Sequence, residues 1–566
     1  MRESTGLIRL GWSLLALIFV LTPFLVRKVK FTNHNNEPTK YTEGIEGKSG
    51  NLRETYEDRQ ITLSYDSIST RSTEIFIKPA RITFEDQSGK WFIEGASAVR
   101  KNGQWIIFSP LTISFRTSNN FPIGEGLVSD STACLLWARG EWQGLTPIFW
   151  KSRSSFLGGV WIIPKGWIRR LDGSFESKMS PVTFQANEKN MSKIESLQAE
   201  SISSSSNINE IFLTRIQATV FSGTIRTSRA VIINNEINFP TEIAYDRNNE
   251  LSLRSDHATY RDTGPSSTLV LSNVRGSRIQ NKINETVRSD MSTIYPDLSR
   301  YSGHVEWARF DGSNITKIKS PDIYIRERTG ASQPNDLEPD ELLSPDSTEV
   351  IFNDLKFVSK TLRLNKKNMT WSMGPVIRGE NKDGIYMGKL ASGDRDVWKM
   401  QGPIKYELNN NQGALAANQL IANKFQWTMS GQPIRWEREK DVILTSTINK
   451  LGDLIKFPSQ LQGTFHAPQG DIVVDASGGF FESNILRLGG PILVNGLGWS
   501  CSAPKASIGF DNFRRISNIK LEGGVSLKGS LGEGEGERLE ITLKPNDKTY
   551  TIHWQGRVRG ANKLYE

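Results

Sequence analysis

The chain has 566 residues, a formal net charge of +9, 37% hydrophobic residues and two cysteines. That leaves room for roughly two to four ordinary domains or one long repetitive one, and charged residues at 23% with aromatics at 9% exclude a disordered chain, a collagen and a polytopic membrane protein. Five histidines (His34, His257, His304, His466, His553) and two cysteines (Cys134, Cys501) are too scattered for a close-spaced metal cluster, so neither metal nor other cofactor is expected.

Between Arg9 and Arg27 runs LGWSLLALIFVLTPFLV, without a charge, about 25 Å long as a helix. No small-x-small cleavage site follows, and Pro23 and Phe24 stand where small residues are wanted, which favours an uncleaved anchor over a signal peptide. The expected layout is a cytoplasmic tail at 1–9, a transmembrane anchor at 10–26 and a polar linker at 27–58. Arg27, Lys28 and Lys30 outnumber Arg2 and Arg9, against the positive-inside count. Long following domains translocate largely regardless of charge, so the body is expected outside the cytoplasm. The two cysteines are then either one long-range disulfide or two buried thiols.

From 59 to the end, nearly every segment alternates apolar and polar residues, with β-branched and aromatic enrichment and Gly, Asn, Asp, Ser or Pro between. One phrase returns: apolar, any, apolar, any, Gly, any, apolar. It reads Trp398-Lys-Met400-Gln-Gly402-Pro-Ile404, Leu486-Arg-Leu488-Gly-Gly490-Pro-Ile492, Ile519-Lys-Leu521-Glu-Gly523-Gly-Val525 and Ile552-His-Trp554-Gln-Gly556-Arg-Val558. Looser copies are Trp371-Ser-Met373-Gly374, Trp427-Thr-Met429-Ser-Gly431 and Leu461-Gln-Gly463. These seven glycines (374, 402, 431, 463, 490, 523, 556) recur at a period near 30, the mark of stacked supersecondary units.

Alternation puts the apolar residues on one face, and the glycine, often with proline, allows a sharp bend within a strand. The expected fold is all-β: an elongated antiparallel stack of two facing sheets behind one N-terminal helix. Each unit of about 30 residues supplies an outward and a return strand, and the whole makes a rod on the order of 150 Å. The Ser-rich stretch 197–210 and the acidic, Pro-rich stretch 331–349 read as loops, the second dividing repeats at 59–330 from repeats at 350–566.

These elements, with phrases such as KLEGGVSLKG at 520–529 and SCSAPKASIGF at 500–510, resemble the periplasmic lipopolysaccharide-export family, whose anchored component and soluble bridge protein share a bent, twisted β-jellyroll. The anchored member is far shorter, and this chain carries two or three jellyroll lengths. The resemblance implies an inner-membrane-anchored periplasmic protein that takes a glycolipid, lipopolysaccharide, from an ABC transporter complex. It would pass the acyl chains along a hydrophobic β-groove toward a periplasmic bridge or outer-membrane translocon. Neither enzymatic activity nor a nucleic-acid partner is expected. The candidates to line the groove are Trp371, Met373, Trp398, Met400, Trp427, Met429, Leu486, Leu488 and Ile492; alternatively the sheets pack shut and these are core.

Residues 137–170 hold Trp137, Trp142, Trp150, Trp161 and Trp167 interleaved with basic residues, either a membrane-interface patch or a core with solvated cations. Gly532-Glu-Gly534-Glu-Gly536 lacks the Lys-Ser/Thr and helix of a phosphate loop. Two other classes compete: a structural or adhesive envelope rod without cargo, and a β-solenoid carbohydrate-active enzyme using Asp471, Asp475 or Glu482.

Overall fold

The computed structural model describes residues 46–561 except 57–58, 72, 87–88, 117–121, 129–132, 139, 153–156, 171, 187–192, 206–209, 234–235, 248–250, 264–265, 327–339, 410–412, 531 and 545–547. The expected anchor at 10–26 lies outside these residues. Among them are forty-seven β-strands and no α-helix, and every strand pairing is antiparallel within one continuous sheet. No helix of the described residues is long and apolar enough to cross a membrane.

The topology follows from how each strand divides between neighbours. The first half of Arg59–Arg71 pairs with Ala80–Asp86 and the second half with Glu74–Lys78. Both of those then pair with different halves of Gly89–Lys101. The sheet thus runs as two ladders side by side, the first containing Ala80–Asp86 and the second Glu74–Lys78, and the chain crosses from one to the other each time it passes. Some crossings are one long strand and others are two short ones with a break between. Fourteen are split in this way, so the forty-seven strands make thirty-three crossings. At ~4.8 Å per strand the stack is about 150 Å long.

The break or bend between ladders is where the glycine phrase sits. In Val397–Leu408, Gln401 pairs with Gln419 and Ile404 with Ala417, so Gly402 and Pro403 together face Asn418. Gly402 has φ 99°, and a Cβ there would stand 2.6 Å from Cβ of Lys389. The bulge bends the strand, and in this strand the side chains keep their faces across it. Trp398, Met400, Ile404, Tyr406 and Leu408 are all buried while Lys399, Lys405 and Glu407 are exposed. Register shifts at Gly489/Ile492, Glu522/Val525 and Ser430/Ile434 place Gly490, Gly523 and Gly431 at the same crossover, and Gly556 lies within the shift between Gln555 and Val558. Gly374 falls between Trp371–Met373 and Val376–Asn381, one in each ladder. Gly463 differs. It lies in the middle of Leu461–Ala467, wholly in the first ladder, and the break in that crossing falls instead after Phe457.

Three segments differ from expectation. Glu46–Tyr56, inside the expected linker, is a strand paired along its length with Arg59–Arg71. It has little apolar pattern to read, and its place is set by backbone pairing with Arg59–Arg71. Ser201–Ser204, expected as loop, pairs on both sides through Ile202, which is buried. Glu341–Ser344 and Thr348–Phe352 carry strands into the stretch 331–349 expected as loop. The hydroxyls of Ser344 and Thr348 are fully buried but bonded, Ser344 Oγ lying 2.6 Å from Ser320 Oγ and 2.5 Å from Thr348 Oγ1. Buried hydroxyls are tolerated when so satisfied.

Candidate functional site

The two ladders face each other through their buried side chains. Phe84 of the first ladder stacks on Trp142 of the second with ring centroids 5.3 Å apart. Farther along, Phe357, Tyr386 and Tyr406 of the first ladder meet Trp371, Trp398 and Trp427 of the second. Phe357 lies 5.4 Å from Trp371, Tyr386 5.1 Å from Trp398 and Tyr406 5.5 Å from Trp427. Contacts of this kind between offset or edge-on rings add about 0.5–1.5 kcal/mol each beyond their burial.

All nine candidate residues lie in this interior: Trp371, Met373, Trp398, Met400, Trp427, Met429, Leu486, Leu488 and Ile492 are each at most 8% exposed. Eight are on the second ladder and Ile492 is on the first. They belong to one contiguous apolar cluster that runs from Ile61 to Leu543. A cavity beside one of them, Leu486, bounded also by Trp436, Phe465 and Phe510, measures about 10 Å³, too small for more than a water molecule. The first-ladder rings were missed in the sequence, although Tyr406 follows Ile404 at the same two-residue spacing as the phrase itself.

Opposite the bends, the free ends of the two ladders meet in a mouth, and polar contacts tie it along its length. Each joins a first-ladder residue to one much later in the chain on the second. Trp105 Nε1 donates to Glu54 at 3.1 Å, Arg247 to the Tyr295 carbonyl at 2.8 Å, and Arg309 to the Lys366 carbonyl at 2.5 Å. Lys450 pairs with Asp383 at 2.8 Å, Arg395 pairs with Asp311, Arg438 reaches the Arg514 carbonyl at 3.4 Å and Gln469 the Lys544 carbonyl at 2.8 Å. The partner lies 48 to 84 residues onward every time. This constant sense means that the two free rims are staggered.

These latches are semi-buried and carry aromatic contacts. Arg438 lies over Phe510 at 4.2 Å and pairs with Asp441 at 3.4 Å. Burial draws the Arg438 guanidinium below its ordinary pKa and pushes the Asp441 carboxyl above the usual range. The most enclosed set surrounds Glu285, which is fully buried and receives Arg278 at 2.6 Å, Arg309 at 3.3 Å and Lys366 at 3.8 Å. Inside, burial also holds the Tyr386 phenol well above its normal range, and its hydroxyl makes no hydrogen bond among the described residues.

The other sequence candidates are not brought together. Trp137, Trp142, Trp161 and Trp167 are core, and Arg169 is buried with its guanidinium 4.1 Å from the Trp91 ring. Asp471 and Asp475 stand on the outer face of Gly470–Ala476 in the first ladder, Asp471 beside His466 at 3.5 Å, while Glu482 is exposed on the second. The Gly532–Gly536 acids belong to the strand Gly532–Leu543. Cys134 and Cys501 are buried free thiols, pushed by burial up to about 11 and about 12. Among the described residues no group of His, Cys, Asp and Glu is placed to hold a metal ion. Compared with known proteins, the chain matches no family model and no curated sequence.

Proposed function

We propose that the chain is a glycolipid carrier: an inner-membrane-anchored periplasmic protein whose two facing ladders form a β-jellyroll groove for acyl chains on their way to the outer membrane. One observation carries the reading, the unbroken apolar interior from Ile61 to Leu543 along a stack about 150 Å long. An acyl chain of about a dozen carbons loses ~10 kcal/mol on leaving a bilayer for water, so a carrier needs a dry lining without gaps. Trp371, Trp398, Met400, Trp427, Met429 and Leu488 supply one, and methionine adapts to an irregular guest. The closed interior is the resting state in this reading. Cargo enters by parting the mouth, where hydrogen bonds and ion pairs tie the rims.

A lipopolysaccharide cargo, an ABC transporter as donor and a bridge or translocon as acceptor belong to the same proposal, as does the absence of enzymatic function. Extraction of the purified full chain with organic solvent, followed by mass spectrometry, tests it: a co-purifying glycolipid is expected, and a protein free of lipid when isolated from envelopes contradicts it. The second reading, a structural envelope rod without cargo, is favoured by the burial of all nine candidate side chains and the cavity of about 10 Å³ beside Leu486.

A further inference from the structure

The outer face of the first ladder, away from the apolar interior, holds a concavity of about 770 Å³ between Arg226 and Lys319. Across its floor three exposed arginines stand directly opposite one another on consecutive strands: Arg254 is in register with Arg275, and Arg275 with Arg288. Directly opposed side chains in an antiparallel pair have Cβ atoms about 5 Å apart, and like charges there are destabilising. The same row shows the ordinary solution a little farther on. It continues from Arg288 through Glu306 and Lys319 to Glu349 with alternating sign, and Lys319 bonds Glu306 at 2.7 Å.

Within the run Arg254–Arg275–Arg288 no carboxylate is interposed, and only Arg288 faces one, Glu306, on its far side. Among the described residues Arg275 and Arg288 make no ion pair, and Arg254 has only Glu242 at 4.0 Å, both side chains being largely exposed. One step along each strand toward the same face, Ser252, Ser277 and Thr286 are also in register, forming a row of hydroxyls beside the row of guanidinium groups. Three planar cations side by side with no carboxylate between them, beside a row of hydroxyls, are suited to a guest that is both anionic and rich in hydroxyl groups. A single-stranded nucleic acid would look for aromatic platforms, but Trp307, the one aromatic residue lining the concavity, is buried at 1% exposure.

We propose that this face binds an oligosaccharide bearing phosphate groups, laid across the strands, with Arg254, Arg275 and Arg288 on the phosphates and Ser252, Ser277 and Thr286 on sugar hydroxyls. The site is independent of the interior and holds whether or not the interior carries lipid. Calorimetric titration of the full chain with phosphorylated dextran tests it, with unmodified dextran, single-stranded DNA and anionic phospholipid vesicles as comparisons. Phosphorylated dextran binds best, and Arg275→Glu weakens it at least tenfold while raising the melting temperature, because the new carboxylate sits between Arg254 and Arg288. Arg288→Ala weakens binding as well, and Lys505→Glu, the same charge change on the other ladder, leaves it intact. Equal loss with Lys505→Glu, unchanged affinity with Arg275→Glu, a lowered melting temperature in that variant, or tighter binding of DNA or vesicles overturns the proposal.

Discussion

The Arg309 guanidinium donates a 2.5 Å hydrogen bond to the carbonyl of Lys366, 57 residues later in the chain, and so joins the free rim of one ladder to that of the other. Beneath that bond lies Glu285, fully buried, with Arg309 at 3.3 Å and Arg278 at 2.6 Å. Removing one partner of such a set leaves an uncompensated buried charge. Glu285→Gln is therefore expected to lower unfolding stability by about 3–5 kcal/mol in urea titration, far more than loss of the exposed pair of Lys319 and Glu306.

Tyr386 predicts the opposite sign. Its hydroxyl is buried among rings without a hydrogen bond, and an unsatisfied buried polar group costs about 1–3 kcal/mol. Tyr386→Phe keeps the ring contacts with Trp398 and Phe357 and is expected to raise stability by about 1 kcal/mol. A lower denaturation midpoint for this variant would show that the hydroxyl has a partner.

Two adjacent glycines separate the bend from the strand. Gly490 has φ 88° and its Cβ position lies 2.6 Å from Cβ of Ser477, whereas Gly489 has nothing within 4 Å. Gly490→Ala is expected to lose about 1–2 kcal/mol from backbone strain alone, and Gly489→Ala to gain up to about 1 kcal/mol through the unfolded chain. Equal midpoints for the two variants would remove the bend from the account of the repeat.

At the bend of Leu298–Asp311, His304 Nδ1 lies 2.8 Å from Asp290. The hydrogen bond with Asp290, followed by its charge, raises the imidazole above its ordinary value. The folded state thus holds this proton more tightly than the unfolded state. The pair's contribution is complete below an ordinary histidine pKa of about 6.5 and fades as pH rises through the raised value. Imidazole NMR should show His304 titrating above that value, and Asp290→Asn should bring it back down.

The all-β class, the two-crossing period and the interior face were legible because a two-residue alternation either keeps phase or does not. Trp398, Met400, Ile404, Tyr406 and Leu408 keep it through the bend. Strands held by backbone pairing rather than apolar pattern were not legible: Glu46–Tyr56 and Ser201–Ser204 carry few apolar side chains, and their edges are set by neighbours distant in sequence. Gly463 matched the phrase by composition while the actual break lies at Pro458 and Ser459, so a glycine in a strand does not by itself mark a bend. The mouth contacts joining residues 48 to 84 apart depend on the stagger of the two rims, which no local pattern encodes.

The most direct test replaces Met400, Met429 and Leu488, one at a time, with a photoreactive residue in envelopes containing labelled glycolipid, and does the same at the outward-facing Lys399 and Arg487. Capture of glycolipid from the three interior positions and not from the two outer ones is the result this account predicts. An interior that captures nothing, or no more than Lys399 and Arg487 do, would mean that the ladders are packed shut and carry no cargo.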